Sequence, residues 1–482
     1  MPFARNLLAV MPEAIILASA MLILIVDLFL HDERRHVTYW LTQLALLIAA
    51  CVTLNTMQID VAKAFHNMIV DDMLADVLRL TSFVAVSLML FYSRSYLFAR
   101  GLFRGETFVL TLFVLLGIQI IVSANSFLTL YLGVELMSLS LYALVALERE
   151  RSGPAEASMK FFVLGAMASG VLLYGMSMIY GATGSFDIDL VSRSILAKEG
   201  NSLLLIFGLV FVVSGVAFKL GAVPYHMWIP DVYDGAPTAM TLLIGTAPEF
   251  AGFALTLRLL SGALQGMAID WQGMLIVLSL LSMVLGNVVA IAQTSIKRML
   301  AYSTIAQMGY MLMGFLAADL DGYSAAMFYI VTYVLTSLVS FGMIMLLSRE
   351  GFEADKIDDF RGLNQRSPWW AFVMLLVMFS LAGIPPTVGF YAKFTVIEAA
   401  INAGYTWLAV VAVITSLIGA FYYLRIVRLM YFDDPVDRSP FETRADAQWL
   451  MSANGVLLLL LGILPQPLMG ICVIALTQSN FL

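Results

Sequence analysis

Apolar runs of about twenty residues follow one another along the whole chain, separated by short polar breaks. Apolar and polar positions do not alternate within the runs, which selects helices over the strands of a membrane barrel. A window of about 20 residues predicts about fourteen spans. They fall near 8–30, 38–58, 75–96, 106–123, 125–147, 158–180, 203–225, 237–261, 272–294, 299–318, 323–348, 369–400, 405–432 and 449–475. The longest polar connections are 181–202, 349–368 and 433–448, none of them large enough for a soluble domain. The run from Leu8 to Leu30 is longer than a signal-peptide core and lacks a small-residue cleavage site, so it predicts a first span. The expected fold class is an all-α polytopic membrane protein.

Two regions interrupt the pattern. Around the seventh and eighth spans, Gly221, Pro224 and Pro230 lead to Asp234-Gly235-Ala236-Pro237, with Pro248 inside the eighth. In the twelfth, Pro385 and Pro386 fall mid-span. Proline removes a backbone donor and clashes with the preceding turn, so these helices break. A broken span in each half of the chain predicts two inverted repeats. The division expected is a three-helix segment over 1–105, a five-helix unit over 106–261, a second, inverted five-helix unit over 272–432, and a C-terminal helix over 449–482.

Composition agrees: of 482 residues, 61% are hydrophobic and 12% charged, far from the quarter charged of a soluble domain. A net charge of -7 offers no basic stripe for nucleic acid. The two cysteines, Cys51 and Cys472, lie in apolar runs and exclude a disulfide framework or a cysteine-held cluster. No phosphate loop, dinucleotide fingerprint or zinc pattern is present. The segment His31 to His36 has the wrong spacing for a metal site, and Asp319-Leu320-Asp321-Gly322 lacks the later ligands of a calcium loop. Work done by this chain must therefore draw on an ion gradient or a redox partner. Lys and Arg collect on one side of the predicted spans (Arg34, Arg94, Arg149, Arg298, Arg361 and Arg438 among them), whereas the side of the termini has few. The termini are expected to be periplasmic.

Ionisable residues inside the apolar runs then change the picture. A charge at the bilayer centre costs roughly 2.5–3.5 kcal/mol, so a chain that keeps several of both signs has a use for them. Glu135 lies near the middle of the fifth span and Lys219 late in the seventh. Apart in an apolar medium such groups favour their neutral forms, and together their charged forms. The pair can thus load and release a proton. The other reading is a static ion pair. Lys393 follows the Pro385-Pro386 break, where it can meet backbone groups freed by the half-helix or snorkel to the interface. Glu249 is the acidic residue of the eighth span, either a proton carrier or a carboxyl bonded to backbone freed by Pro248. His226 sits beside the break after the seventh span, as a relay or a helix cap. Lys160 opens the sixth, as a relay or an interfacial anchor, and Glu398 lies beyond Lys393.

Four stretches carry a resemblance: Ser123–Val145, with Tyr-Leu-Gly-Val-Glu-Leu-Met; Phe218–Thr238; Ile296–Tyr310; and Leu381–Phe394. Across nearly its whole length the sequence resembles the antiporter-like membrane subunits of respiratory complex I. The resemblance implies fourteen spans, two inverted five-helix units and proton translocation coupled to quinone reduction by NADH. It assigns the proton path to Glu135, Lys219, Glu249 and Lys393, with His226 and Lys160 along the polar axis. It implies no redox centre in this chain; partner subunits would hold FMN and iron–sulfur clusters, with quinone as substrate. Complex I membrane subunits on both flanks, a bilayer and a bacterial inner-membrane location follow from it. The family usually has lysine where this chain has Glu249, which reverses the sign of the charged form. Rival readings are a subunit of a multi-chain Na+/H+ antiporter or membrane-bound hydrogenase, and a structural spacer in a membrane arm.

Overall fold

The computed structural model describes residues 2–479 apart from 32–33, 58–60, 149, 199, 436, 438 and 442, and the side chains from residue 6 onward. The acidic pair of the His31–His36 loop, Arg149 and Arg438 thus lie outside the described residues. The chain forms helices α1 (Pro2–Ala9), α2 (Met11–Asp27), α3 (His36–Thr56), α4 (Met73–Ala99), α5 (Gly105–Val122), α6 (Phe127–Val145) and α7 (Ser152–Thr183). They are followed by α8 (Ile188–Leu196), α9 (Ser202–Lys219), α10 (Trp228–Gly235), α11 (Thr238–Ile244) and α12 (Ala247–Thr256). The second half holds α13 (Ala268–Ile291), α14 (Ile296–Phe315), α15 (Leu320–Leu347), α16 (Leu363–Arg366), α17 (Pro368–Ala382), α18 (Val388–Asn402), α19 (Thr406–Phe432), α20 (Ala445–Ile463) and α21 (Gln466–Thr477). A short antiparallel hairpin, β1 (Ala62–Ala64) with β2 (Ile69–Asp71), precedes α4.

Helix starts follow local chemistry. Asp72, Asn201, Ser295 and Asp319 accept hydrogen bonds from the first-turn amides of α4, α9, α14 and α15. Pro248 and Pro368 occupy first-turn positions, where a missing N–H costs nothing.

Among the described residues, eleven helical stretches are long and apolar enough to cross a membrane. The expected count of fourteen is therefore not confirmed as a count. Of the other three segments, α2 has 17 residues, α14 carries Lys297 and Arg298 in its first turn, and the twelfth divides into α17 and α18. The seventh span ends at Lys219, short of the expected 225. The eighth divides at Gly245–Thr246 into α11 and α12, and α12 runs into a π-helical turn, Leu257–Ala263. The last divides at Leu464–Pro465 into α20 and α21.

The core is centred on α15, buried along nearly its whole length among α4, α11, α12, α14, α17, α18, α20 and α21. Helices α3, α7, α9 and α19 turn Leu47, Met167, Leu203 and Leu417 outward, as lipid-facing helices do. Three helix pairs, α13–α14, α7–α9 and α5–α6, pack most tightly. A Cβ on Gly117 would come 2.6 Å from the Met137 amide, so a small residue there sets the spacing that aims the Glu135 helix. A β-bridge joins Ser126, before α6, to Asp187, and another joins Ser295, before α14, to Lys356.

Most buried charges at the terminal end are paired. Arg258, in the π-turn, holds both carboxylate oxygens of Asp72 at 3.1 Å, with neither side chain exposed. Arg79 Nη2 lies 2.7 Å from Glu13, and its Nη1 2.5 Å from Asp71 and 3.0 Å from Asp76. Such groups fix packing, since removing one partner strands the other.

On the opposite face, Asp437 ties the connection before α20 to the end of α15. Burial pushes its carboxyl up, but hydrogen bonds from Arg349 (2.5 Å) and Ser439, with Arg366 nearby, hold it well below the usual carboxylate range. A depressed native value stabilises above the ordinary carboxylate range and is lost only as pH falls through and below it. Asp437→Asn is expected to speed exchange of the Ser439 amide hydrogen, which Asp437 Oδ1 accepts at 2.9 Å, at pH 7. The unaltered loop should keep its protection down to about pH 4, the ordinary carboxylate value. Equal exchange in both proteins at pH 7 would contradict this role.

Candidate functional site

The breaks expected from proline and glycine bring the charged residues into one polar line through the core. Glu135 sits on α6 and Lys219 closes α9. They do not form an ion pair among the described residues. The Lys219 ammonium donates to Ser138 Oγ at 2.9 Å and to Ser169 Oγ at 3.4 Å, and Glu135 acts on it through space. Ser138 lies one turn along α6 from Glu135, so a hydroxyl stands where a direct bridge was expected. Glu135 Oε1 is buried without a hydrogen-bond partner.

Lys219 and Glu249 line the same cavity of about 40 Å³, together with Ser138, Phe218, Trp228 and Pro248. That is room for a water or two, since one needs about 10–15 Å³. Glu249 is 7% exposed and has no ion-pair partner among the described residues. It stands at the first turn of α12, where the helix dipole favours a carboxylate.

Beyond Glu249 the line continues through side chains that the sequence reading did not single out. The carboxyl lies within electrostatic reach of the Tyr233 and Tyr333 hydroxyls. Tyr333 donates to Thr304 Oγ1 at 2.7 Å. Tyr329, one turn before Tyr333 on α15, donates to Gln307 Oε1. Gln307 Nε2 donates to the Leu381 carbonyl at 3.0 Å and to Tyr423 Oη at 3.2 Å. A cavity of about 20 Å³ lies between Gln307, Tyr329, Tyr333, Ser380 and Leu381. The signal for these residues was present: Thr304 with Gln307, and Tyr329 with Tyr333, are polar positions at helical spacing inside apolar helices.

Lys393 completes the line. Its ammonium donates to the carbonyls of Leu381 (2.9 Å) and Ala382 (3.2 Å) and to Ser416 Oγ (3.0 Å), 4.7 Å from the Tyr310 ring centre. Those carbonyls are the free C-terminal end of α17, where Gly383 at φ +80° ends the helix. A Cβ on Gly383 would stand 2.9 Å from Lys393 Cδ, so glycine also makes room for the lysine stem. The break supplies the polar environment expected of it.

Two other expected members make no hydrogen bond to this line among the described residues. Lys160 is partly exposed and bridges Glu156 (2.9 Å) and Asp231 (2.8 Å), and Asp231 also pairs with Arg298 at 3.0 Å. It joins α7 to α10 and α14 near the opposite face instead of contacting Lys219. His226 is half-buried on the turn between α9 and α10. Among the described residues no group of three or more His, Cys, Asp or Glu gathers to hold a metal ion.

Comparison with known proteins adds the family. The profile of the family described as "NADH:quinone oxidoreductase/Mrp antiporter, TM" matches residues 124–419. The NADH-quinone oxidoreductase subunit N of Thiobacillus denitrificans is 56% identical over 471 residues, 97% of each chain. A chain of respiratory complex I from Thermus thermophilus is 30% identical and superposes with a TM-score of 0.81, covering 95% of this chain and 98% of its own. A chain of the Mrp complex from Dietzia sp. shares the fold, with a TM-score of 0.84 at 20% identity, over 99% of this chain and 97% of its own. The line of buried lysines, carboxylates and hydroxyls thus sits in a chain that belongs to the NADH:quinone oxidoreductase/Mrp antiporter transmembrane family and, within it, groups with the subunit N proteins.

Proposed function

We propose that this chain, as a subunit N of an NADH-quinone oxidoreductase, carries protons along the line Lys219–Glu249–Tyr333–Gln307–Lys393. Complex I couples NADH oxidation by quinone to proton export; in this reading FMN, iron–sulfur clusters and quinone belong to partner subunits on the flanks. The termini face the periplasm of a bacterial inner membrane. A proton enters from the opposite face and loads Lys219, whose charged form Glu135 favours. Water in the shared cavity hands it to Glu249. Hydroxyls of Tyr233, Tyr333 and Thr304, then Gln307 and water, lead it to Lys393, which releases it toward the terminal side. Each half of the line lies in one five-helix unit, 106–261 or 272–432. The two β-bridges, each entering the second helix of a tight pair and lying at opposite ends of the molecule, support an inverted relation between the units.

One observation carries the reading: Lys219 and Glu249, on different helices, line one cavity. A carboxylate between two lysines attracts whichever is charged, whereas the lysine usual in the family would repel it. Either group can pass a proton. Glu249→Lys is therefore expected to keep pumping near the original level, and Glu249→Leu to lose most of it. Dye quenching in inverted vesicles with NADH reads both. Full pumping in Glu249→Leu would remove the residue from the path, and loss in Glu249→Lys would show that the negative sign is required.

A further inference from the structure

On the face opposite the termini, the ends of α3, α4, α15 and α20 leave a cavity of about 610 Å³. Arg94, Arg100, Arg349 and Arg444 line it, beside Tyr96 and Phe98. Three of these arginines are answered by carboxylates. Arg100 lies 2.6 Å from Glu353, Arg349 2.5 Å from Asp437 and Arg444 3.2 Å from Asp446. Glu350, on the exposed loop after α15, is a further carboxylate on the wall.

Arg94 is the most weakly answered of the four, with its ion pair to Asp446 at 3.9 Å. Its Nη1 is buried without a hydrogen-bond partner, and Asp446 is already held by Arg444. The guanidinium is fixed in place, 4.5 Å from the Tyr39 ring centre and 5.5 Å from that of Trp40. A guanidinium whose Nη1 lacks a hydrogen bond and whose carboxylate is distant and shared can take a further acceptor, and it matches phosphate in shape and charge.

What lies next to Arg94 indicates the source of the phosphate. Trp40, Leu44, Leu47 and Ile48 are exposed and form one stripe down the outside of α3, starting at the ring beside the guanidinium. Phe98, also exposed, stands on the cavity wall. A free anion has no use for an apolar stripe leading away from its site, but an acyl chain does. Tryptophan and arginine at a helix end also mark headgroup depth.

We propose that this cavity holds the phosphate of a phospholipid against Arg94, with an acyl chain along the Trp40–Ile48 stripe of α3. The proposal rests on the membrane reading of the chain but not on the proton path.

The test uses the whole complex, purified in mild detergent with a phospholipid bearing a photoreactive acyl chain. Peptides covering 36–48 should be labelled, and Arg94→Gln should lower that label several-fold while NADH oxidation with an artificial acceptor is unchanged. Arg444→Gln serves as a second variant should the first fail to assemble, with the same expected loss. Millimolar inorganic phosphate should not displace the label. Label absent from 36–48, unchanged in both variants, or displaced by phosphate alone would overturn the proposal; so would a neighbouring subunit's side chain cross-linked in the cavity. Proton pumping is read separately, so failure of the lipid site and failure of the proton line are distinguishable.

Discussion

Replacing Lys219 by alanine is expected to cut proton pumping at least about tenfold, the low end of what a positioned proton-transfer group contributes. Assembly should survive. Lys219 donates to two serine hydroxyls and forms no salt bridge among the described residues, so its removal strands no bonded counter-charge. Glu135 loses a distant cation but no hydrogen bond, since its buried Oε1 has none to lose. Membranes carrying the variant, compared for dye quenching and for NADH oxidation with an artificial acceptor, give the answer. A static packing role predicts the reverse pattern: poor assembly, with normal pumping in whatever assembles.

The second large effect is expected at Lys393, where two substitutions separate structure from chemistry. Alanine removes the ammonium's hydrogen bonds to the Leu381 and Ala382 carbonyls at the end of α17, each worth about 1.5–3 kcal/mol for a charged donor, although Gln307 Nε2 and Ser416 Oγ still donate to those carbonyls. Arginine can keep the cap and the cation over Tyr310, but a guanidinium does not give up its proton. Lys393→Arg is therefore expected to assemble normally and to pump at least about tenfold less than the original chain. Thermal stability of the purified complex and pumping in vesicles check the two halves. Normal pumping in Lys393→Arg would show that the residue only caps the helix.

The sequence disclosed the breaks and the charges because both violate strong rules. Proline in a helix and an ion in an apolar run each need a reason, which is what singled out Pro385, Glu249 and Lys393. The middle of the line was not legible. Tyr333, Thr304 and Gln307 are neutral, common in packed helices and revealing only by their spacing. Which way a side chain faces was also not legible, so Lys160 could not be told from a member of the axis until its bridge to Asp231 was seen. The paired groups around Arg79 and Arg258 show the opposite outcome: buried charges whose partners hold them in place. Local breaks in α11–α12 and α17–α18 follow from Gly and Pro, whereas the meeting of these two broken regions across α14 and α15 is a tertiary fact.

The central claim is that Lys219 and Lys393 lie on a single conducting line, and proton-to-electron ratios in proteoliposomes test it directly. The Lys219→Ala and Lys393→Arg variants are measured singly and together. One line predicts that the double variant pumps no less than the weaker single one, because a wire cut twice is no more broken than a wire cut once. Two independent losses that add in the double variant would mean separate channels and would contradict the account.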